Sequence, residues 1–247
     1  MVKIKIILLA GGYATRLYPL TLNQPKPLLE IQGKPIIEHI LKKIEDIEEI
    51  DEVFIVTNNK FNEHFTKWNE NFEFPKKITI VNDQTTSNED RLGSLGDVQF
   101  TINQENIDDE VMIIAGDNLF EFSVKEFVDF YKNTNKTAVA LYDVQDKELA
   151  KLYGVVAIDE NNKMIEFEEK PSSPKSTLAS TGIYIYPQAA LALLKQFVEK
   201  NPETDKAGNF LEFLHTQEDV FCFVTEKPWI DIGNKEQLEL ARKEFKP

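Results

Sequence analysis

The chain has 247 residues, 42% hydrophobic and 28% charged, with ten glycines and eleven prolines, which excludes disordered, collagen-like and low-complexity classes. Its 42 acidic and 28 basic residues leave a formal charge of −14, a balance that argues against a nucleic-acid partner but not against a small phosphorylated ligand held by local Lys and Arg. One cysteine, Cys222, and three scattered histidines (His39, His64, His215) exclude an internal disulfide, a thiolate metal cluster and a typical zinc site, and fit a reducing, intracellular compartment.

The N-terminus mimics a signal peptide, but its unbroken apolar core, residues 6–10, is shorter than the roughly 7–15 residues such a segment needs. No stretch approaches the roughly 20 apolar residues of a membrane span, so a cytoplasmic protein without membrane partners is expected. Residues 4–9 are a β-branched apolar run stopped by two glycines, which predicts a buried central strand. Pro35 opens an amphipathic helix carrying Ile36, Ile37, Ile40, Leu41, Ile44 and Ile47 at helical spacing. A second strand over 52–56, a helix over 60–72 with Phe61, Phe65 and Trp68 on one face, and strands over 77–81 and 111–115 follow. Ser123, with Glu126 three residues on, reads as the N-cap of a helix to about residue 131.

Strands alternating with helices predict a mostly parallel sheet covered on both faces. From Thr137 the rhythm changes to four strand-like runs, 137–144, 153–158, 163–169 and 178–186, the middle two joined by a turn at Asp159-Glu160-Asn161-Asn162. Pro187 opens another helix at its first position, Asn209 caps a short one, residues 221–224 are a strand, and 234–245 a terminal helix. The expected build is one α/β domain over 1–247, with a nucleotide-type half (1–135) and a β-rich half (136–247) sharing one sheet.

The most informative segment is Leu9-Ala-Gly-Gly-Tyr-Ala-Thr-Arg-Leu-Tyr-Pro-Leu-Thr-Leu-Asn-Gln-Pro-Lys-Pro-Leu28. It leaves the carboxyl end of the first strand, where open α/β sheets bind ligands. Gly11 and Gly12 allow close backbone approach and offer N–H groups, while Arg16 and Lys26 bring positive charge suited to phosphate. It matches neither the Walker pattern nor the dinucleotide glycine fingerprint. Gly116-Asp117-Asn118 ends an apolar strand, which by itself also reads as a turn, and Trp229-Ile-Asp-Ile-Gly233 places Asp231 before a helix. Phe167-Glu-Glu-Lys-Pro171 sets an acid beside a base, and Pro171 predicts an extended backbone at Lys170.

Taken in this order, these segments resemble the sugar-1-phosphate nucleotidylyltransferases, whose pattern runs Leu-Ala-Gly-Gly-x-Gly-Thr-Arg-Leu, Pro-x-Thr, Pro-Lys-Pro-Leu. Ala14 stands where that family usually has glycine. The resemblance covers nearly the whole chain and implies a Rossmann-like nucleotidyltransferase fold with a β-rich sugar-binding half. It also implies an enzyme that moves a nucleotidyl group from a nucleoside triphosphate to a sugar 1-phosphate, releasing pyrophosphate. Its cofactor would be Mg²⁺, on Asp117 and Asp231. It further implies that Arg16, Lys26 and Lys170 act with these two in catalysis, and that Leu9, Ala10, Gly11, Gly12, Gln84 and Gly93 bind the nucleotide. Gly154, Glu169, Lys170 and Thr181 would bind the sugar.

Arg91-Leu-Gly-Ser-Leu-Gly96 is similar to the family's nucleobase loop, but Asp97 falls where a small apolar residue is usual; it either points away on a helix or alters the site. Thymidylyl or uridylyl transfer to glucose 1-phosphate is the first expectation; cytidylyl or guanylyl transfer to a heptose or mannose phosphate, or a non-catalytic subunit of the same fold, are the alternatives. A homo-oligomer is compatible with this reading. The chain ends without the C-terminal extension of longer thymidylyltransferases or the β-helix of bifunctional acetyltransferases, so a site or interface built on those is expected to be absent.

Overall fold

In the computed structural model, which describes residues 3–201 and 205–246, β1 (Ile4–Leu9) runs into a loop with two 3-10 turns, Thr15–Leu17 and Lys26–Leu28. A small hairpin, β2 (Glu30–Ile31) and β3 (Lys34–Pro35), leads to α1 (Ile36–Lys42), β4 (Ile50–Thr57), α2 (Asn62–Asn71), β5 (Lys77–Asn82), α3 (Gly93–Glu105) and β6 (Glu110–Ala115). Next come β7 (Asn118–Phe120), α4 (Val124–Thr134), β8 (Ala138–Asp143), α5 (Lys147–Ala150), β9 (Gly154–Ile158), β10 (Met164–Glu169) and β11 (Leu178–Tyr186). The chain closes with α6 (Gln188–Lys200), α7 (Ala207–Leu214), β12 (Phe221–Thr225), β13 (Trp229–Asp231) and α8 (Lys235–Glu244).

Among the described residues nine strands form one mixed sheet flanked by helices, in the order β10-β9-β11-β6-β1-β4-β5, with β8 pairing β11 and β12 pairing β8. The β6-β1-β4-β5 block is parallel, as the strand–helix alternation predicts, and β12 pairs parallel with β8. β11 runs antiparallel to β6, β8 and β9, so it joins the two halves. Alternate side chains of β1 enter two separate cores. Ile6 and Leu8 pack with Ile37, Ile40 and Phe127 on the face of α1 and α4, while Ile7 packs with Leu95, Val98, Leu194 and Phe210 on the face of α3, α6 and α7. Burial on both faces explains why residues 6–9 of β1 and 111–115 of β6 read as unbroken apolar runs. No helix among the described residues is long and apolar enough to cross a membrane.

The structure adjusts several predicted elements. α1 stops at Lys42, and Ile44 and Ile47 reach the core from tighter turns, with Ile44 N–H donating to Leu41 O at 3.0 Å and Ile47 N–H to Ile44 O at 3.3 Å. The acids that follow, Glu45 to Glu49, oppose the negative end of a helix dipole, which disfavours its continuation. Pro187 is the N-cap rather than the first helical residue of α6, and Asn209 lies inside α7, whose N-cap is Lys206. Lys170 is not extended: its φ is +51°, because its N–H donates to Tyr153 O at 3.0 Å and turns the chain at the end of the β9–β10 ladder. Six elements have no counterpart in the sequence reading: the β2 and β3 hairpin strands, α3, which starts within the supposed loop at Gly93, the three-residue β7 and its partner β13, and the single turn α5.

Candidate active site

The loop after β1 lines a cavity of about 530 Å³ with Leu9, Ala10, Gly11, Gly12, Arg16 and Lys26. Its far wall includes Arg91, Gly93, Ser94 and Asp97 around the start of α3, together with Asp117 and Asp205. β1 and β6 are in parallel register, Leu9 beside Ala115, so the glycine loop and Gly116-Asp117 leave adjacent strand ends. Gly116 N–H donates to Leu9 O at 2.9 Å, and a Cβ on Gly116 would lie 2.5 Å from that same oxygen. Only glycine permits this approach, and it sets the depth at which Asp117 enters the cavity.

Asp117 and Asp231 are brought together by the small antiparallel pair β7–β13, in which Asp231 lies opposite Asn118. Lys26 spans the junction: its Nζ is 2.5 Å from Asp117 Oδ2 and donates to Ile232 O at 2.8 Å. Asn118 Nδ2 donates to Asp117 Oδ1 at 2.9 Å and fixes the other side of that carboxylate. Arg16 passes beside Gly233, whose Cβ position is 3.7 Å from both terminal guanidinium nitrogens. Burial, and then the charge of Asp117, push the Asp231 carboxyl up to about 6, while the charges of Lys26, Arg16 and Lys170 pull it down. Asp231 thus lies in the field of Asp117, Lys26, Arg16 and Lys170, although Lys170 lines neither this cavity nor the next.

On the other side of this junction is a second cavity of about 160 Å³, lined by Tyr153, Gly154, Glu169, Thr181, Trp229 and Asp231 among others. Gly154 and Gly208 flank Phe167 and Glu169, and Lys206 Nζ lies 3.1 Å from Glu169 Oε1. The Thr181 hydroxyl donates to Ala140 O at 2.9 Å, so its proton is committed to the sheet. Two buried atoms of lining residues lack a partner, Asn118 Oδ1 and Trp229 Nε1. Buried polar groups are ordinarily satisfied, so these two stand out as an acceptor and a donor at the edge of this cavity.

Gln84 is not among the residues lining either cavity. Its left-handed backbone, φ 68°, and a hydrogen bond from Nε2 to Asn82 O at 3.2 Å fold it back onto its own loop. Gly93 does line the first cavity, with φ +76° and Asp205 so close that a Cβ would meet its Cα at 2.9 Å. Asp205 is a wall residue that the sequence reading did not find. It is held by Arg91 at 2.8 Å and accepts, through its backbone oxygen, from Ser94 N–H at 2.9 Å. Asp97 does not point away: it is 6% exposed and its carboxylate lies against Gly11 and Asp83. Among the described residues no cluster of three or more His, Cys, Asp or Glu forms a metal cage. Asp117 and Asp231, brought to one junction by the β7–β13 pair, still suit a hard cation, which takes one or two carboxylates and completes its shell with phosphate oxygens and water.

The family model for nucleotidyl transferases matches residues 5–246. The chain is 30% identical over 237 residues to the bifunctional protein GlmU of Methanocaldococcus jannaschii, covering 96% of this chain and 53% of that protein. It is 30% identical over 236 residues to a Sulfolobus acidocaldarius protein assigned as a mannose-1-phosphate guanyltransferase, covering 93% of this chain and 60% of that one. The chain thus spans roughly half to three fifths of these relatives. Among solved structures, a Bacillus anthracis protein assigned as a glucose-1-phosphate thymidylyltransferase, in complex with sucrose, superposes with a TM-score of 0.83 at 26% identity, covering 99% of this chain and 97% of that one.

Proposed function

The chain belongs to the nucleotidyl transferase family, and from that membership and the geometry of its two cavities we propose that it transfers a nucleotidyl group from a nucleoside triphosphate to a sugar 1-phosphate. The observation that carries this reading is the junction itself. Arg16, Lys26 and Asp117 line a glycine-lined cavity large enough for a nucleotide, Asp231 lines a smaller polar one beside it, and the charges of all three and of Lys170 reach Asp231.

In the proposed reaction an oxygen of the sugar phosphate forms a bond to the α-phosphorus, the bond from that phosphorus to the bridging oxygen breaks, and pyrophosphate leaves. A phosphate monoester has a second pKa of about 6 and is mostly dianionic at neutral pH, so the nucleophile needs no strong base. The barrier is the approach of two polyanions, and positioning and charge stabilisation are what the protein supplies. Arg16 stabilises the departing pyrophosphate, and Lys26 and Lys170 hold the attacking phosphate near the α-phosphorus. Backbone N–H groups of Gly11 and Gly12 cradle the triphosphate, while Glu169 and the Gly154 backbone orient the sugar. Asp117 and Asp231 would hold Mg²⁺, which when bound neutralises charge on the triphosphate.

dTTP or UTP with glucose 1-phosphate is the substrate pair of first choice, supported by the thymidylyltransferase assignment of the B. anthracis neighbour. GTP with a mannose phosphate stands second, supported by the S. acidocaldarius relative. The reading places the reaction in the cytoplasm, without nucleic acid or membrane. A matrix of the common NTPs against several sugar 1-phosphates with Mg²⁺, scored by pyrophosphate release, tests it. Turnover of at least one pair is expected, and a folded protein that turns over none while binding no triphosphate overturns it.

A further inference from the structure

Beneath the glycine loop lie two carboxyl groups that the proposed chemistry does not use. Asp83 follows β5 and is 4% exposed; Asp97 is in the first turns of α3 and is 6% exposed. Both crowd one point: a Cβ on Gly11 would lie 2.6 Å from Asp97 Oδ2 and 3.2 Å from Asp83 Oδ2. The other oxygens have different fates. Asp83 Oδ1 accepts from Thr85 N–H at 2.7 Å, while Asp97 Oδ1 is buried without a partner.

The groups that face the pair do not neutralise it. Asp90 comes from the loop after β5, Asp205 from the segment before α7, and the Tyr13 phenol from the loop after β1. Arg91, the cation of the loop between β5 and α3, is engaged with Asp205. Two buried carboxylates in contact cannot both stay ionised without a counter-charge, and the usual resolution is one shared proton. The loop is tied to the same network at other points. Asn58 Nδ2 donates to Gly11 O at 2.8 Å, and the Tyr13 hydroxyl is 3.2 Å from Thr85 Oγ1, on the residue whose N–H binds Asp83.

Resting on the proposed nucleotidyl transfer, we propose that Asp83 and Asp97 work as one hydrogen-carboxylate unit that positions the Gly11-Gly12 loop for the triphosphate, and that the loop keeps its binding form only while the pair retains its proton. Losing the proton sets two adjacent negative charges under the backbone that must receive a polyanion. It also removes the hydrogen bond that lets the two oxygens share the space over Gly11. The pair is thus a positioning device acting through the loop, and it turns the departure at Asp97 into a pH-dependent control of triphosphate affinity. The direction of the individual groups agrees: burial, then the charge of Asp83, push the Asp97 carboxyl up to about 8, and burial raises Asp83 as well.

The test is KM for the triphosphate against pH in the wild type and in Asp97→Asn, whose amide still donates to Asp83 but does not titrate. If only the protonated pair binds, the wild-type KM rises about tenfold between pH 7 and pH 9 relative to the variant, because the competent fraction falls by that factor. Taking the ratio removes the titration of the nucleotide itself. Parallel profiles in the two proteins overturn the inference while leaving nucleotidyl transfer intact, whereas absence of turnover and of triphosphate binding overturns both. A second readout needs no substrate. A carboxyl with a raised folded-state pKa loses stabilisation as pH rises from its unfolded value towards its folded one. The melting temperature of the wild type should therefore fall relative to Asp97→Asn between pH 5 and pH 8, and Asp83→Asn should behave alike. Identical melting profiles count against the shared proton.

Discussion

Gly154, at the start of β9, and Gly208, in the first turn of α7, make room for the same two groups: a Cβ on either would lie within 2.7 Å of Phe167 Cζ and 3.2 Å of Glu169 Oε2. Helical Gly208 would ordinarily gain about 1 kcal/mol on replacement by Ala. Here the methyl displaces Phe167 and Glu169 instead. Gly208→Ala is expected to raise KM for the sugar 1-phosphate about tenfold, the size of a lost hydrogen bond to a charged group, while KM for the triphosphate moves much less. Steady-state kinetics with each substrate varied in turn decides it; an equal rise in both constants contradicts the assignment of this cavity to the sugar.

Removing one preorganised stabiliser from a junction of this kind costs roughly two to four orders of magnitude in kcat. Asp231→Ala and Arg16→Ala are each expected to fall in that range with the fold intact by circular dichroism. Near-normal turnover in either purified variant refutes its catalytic role.

Cys222 is buried in β12, and burial pushes its thiol up to about 12. At pH 8 it is therefore protonated as well as shielded, and a disulfide reagent should find no reactive thiol in the native protein and one after denaturation. Rapid labelling of the native protein would show that β12 opens or that the thiol is more acidic than its surroundings imply.

Helix α8 begins beside the junction. Asn234 Oδ1 accepts from Gln237 N–H at 2.8 Å, and Gln237 Oε1 accepts from Gly233 N–H at 2.9 Å, next to Arg16. Loss of an N-cap costs about 1 kcal/mol, or a drop of roughly 2–4 °C in Tm for a domain of this size. Asn234→Ala and Ser123→Ala should both melt earlier by that amount, but only Asn234→Ala should also lose turnover, because the Ser123 cap of α4 stabilises a helix outside both cavities. Equal activity in the two variants would separate the α8 cap from the chemistry.

The sequence made legible what depends on short-range chemistry. The apolar runs gave β1 and β6, Ser123 caps α4 as its type suggests, and the glycine loop, Arg16, Lys26 and Asp117 line one cavity. The misses have a common cause. α3 begins at a glycine in a polar segment, so its pattern of burial depends on β1, β4 and α6 packing against it and carries little signal of its own. β7 is three residues long and exists because β13, more than a hundred residues later, pairs with it. Gln84 matches the resemblance by position alone, yet its backbone has φ 68° and its side chain bonds Asn82 O instead of lining either cavity. Asp205 reaches the larger cavity from the far half of the chain, and Asp83 meets Asp97 only because β5 ends beside β4 and below Gly11. Contacts of that kind belong to topology, and a linear string of residues does not display them.

Strand β11 lends its hydrogen-bonding edges to β6 from one half and to β8 and β9 from the other. A backbone nick after Asn135 would consequently not liberate two self-sufficient modules. The upstream fragment would keep a bare β6 rim, and the downstream fragment would keep β11 paired to β8 and β9 but with its β6-facing edge bare, so each should aggregate alone and regain order only when the two are mixed.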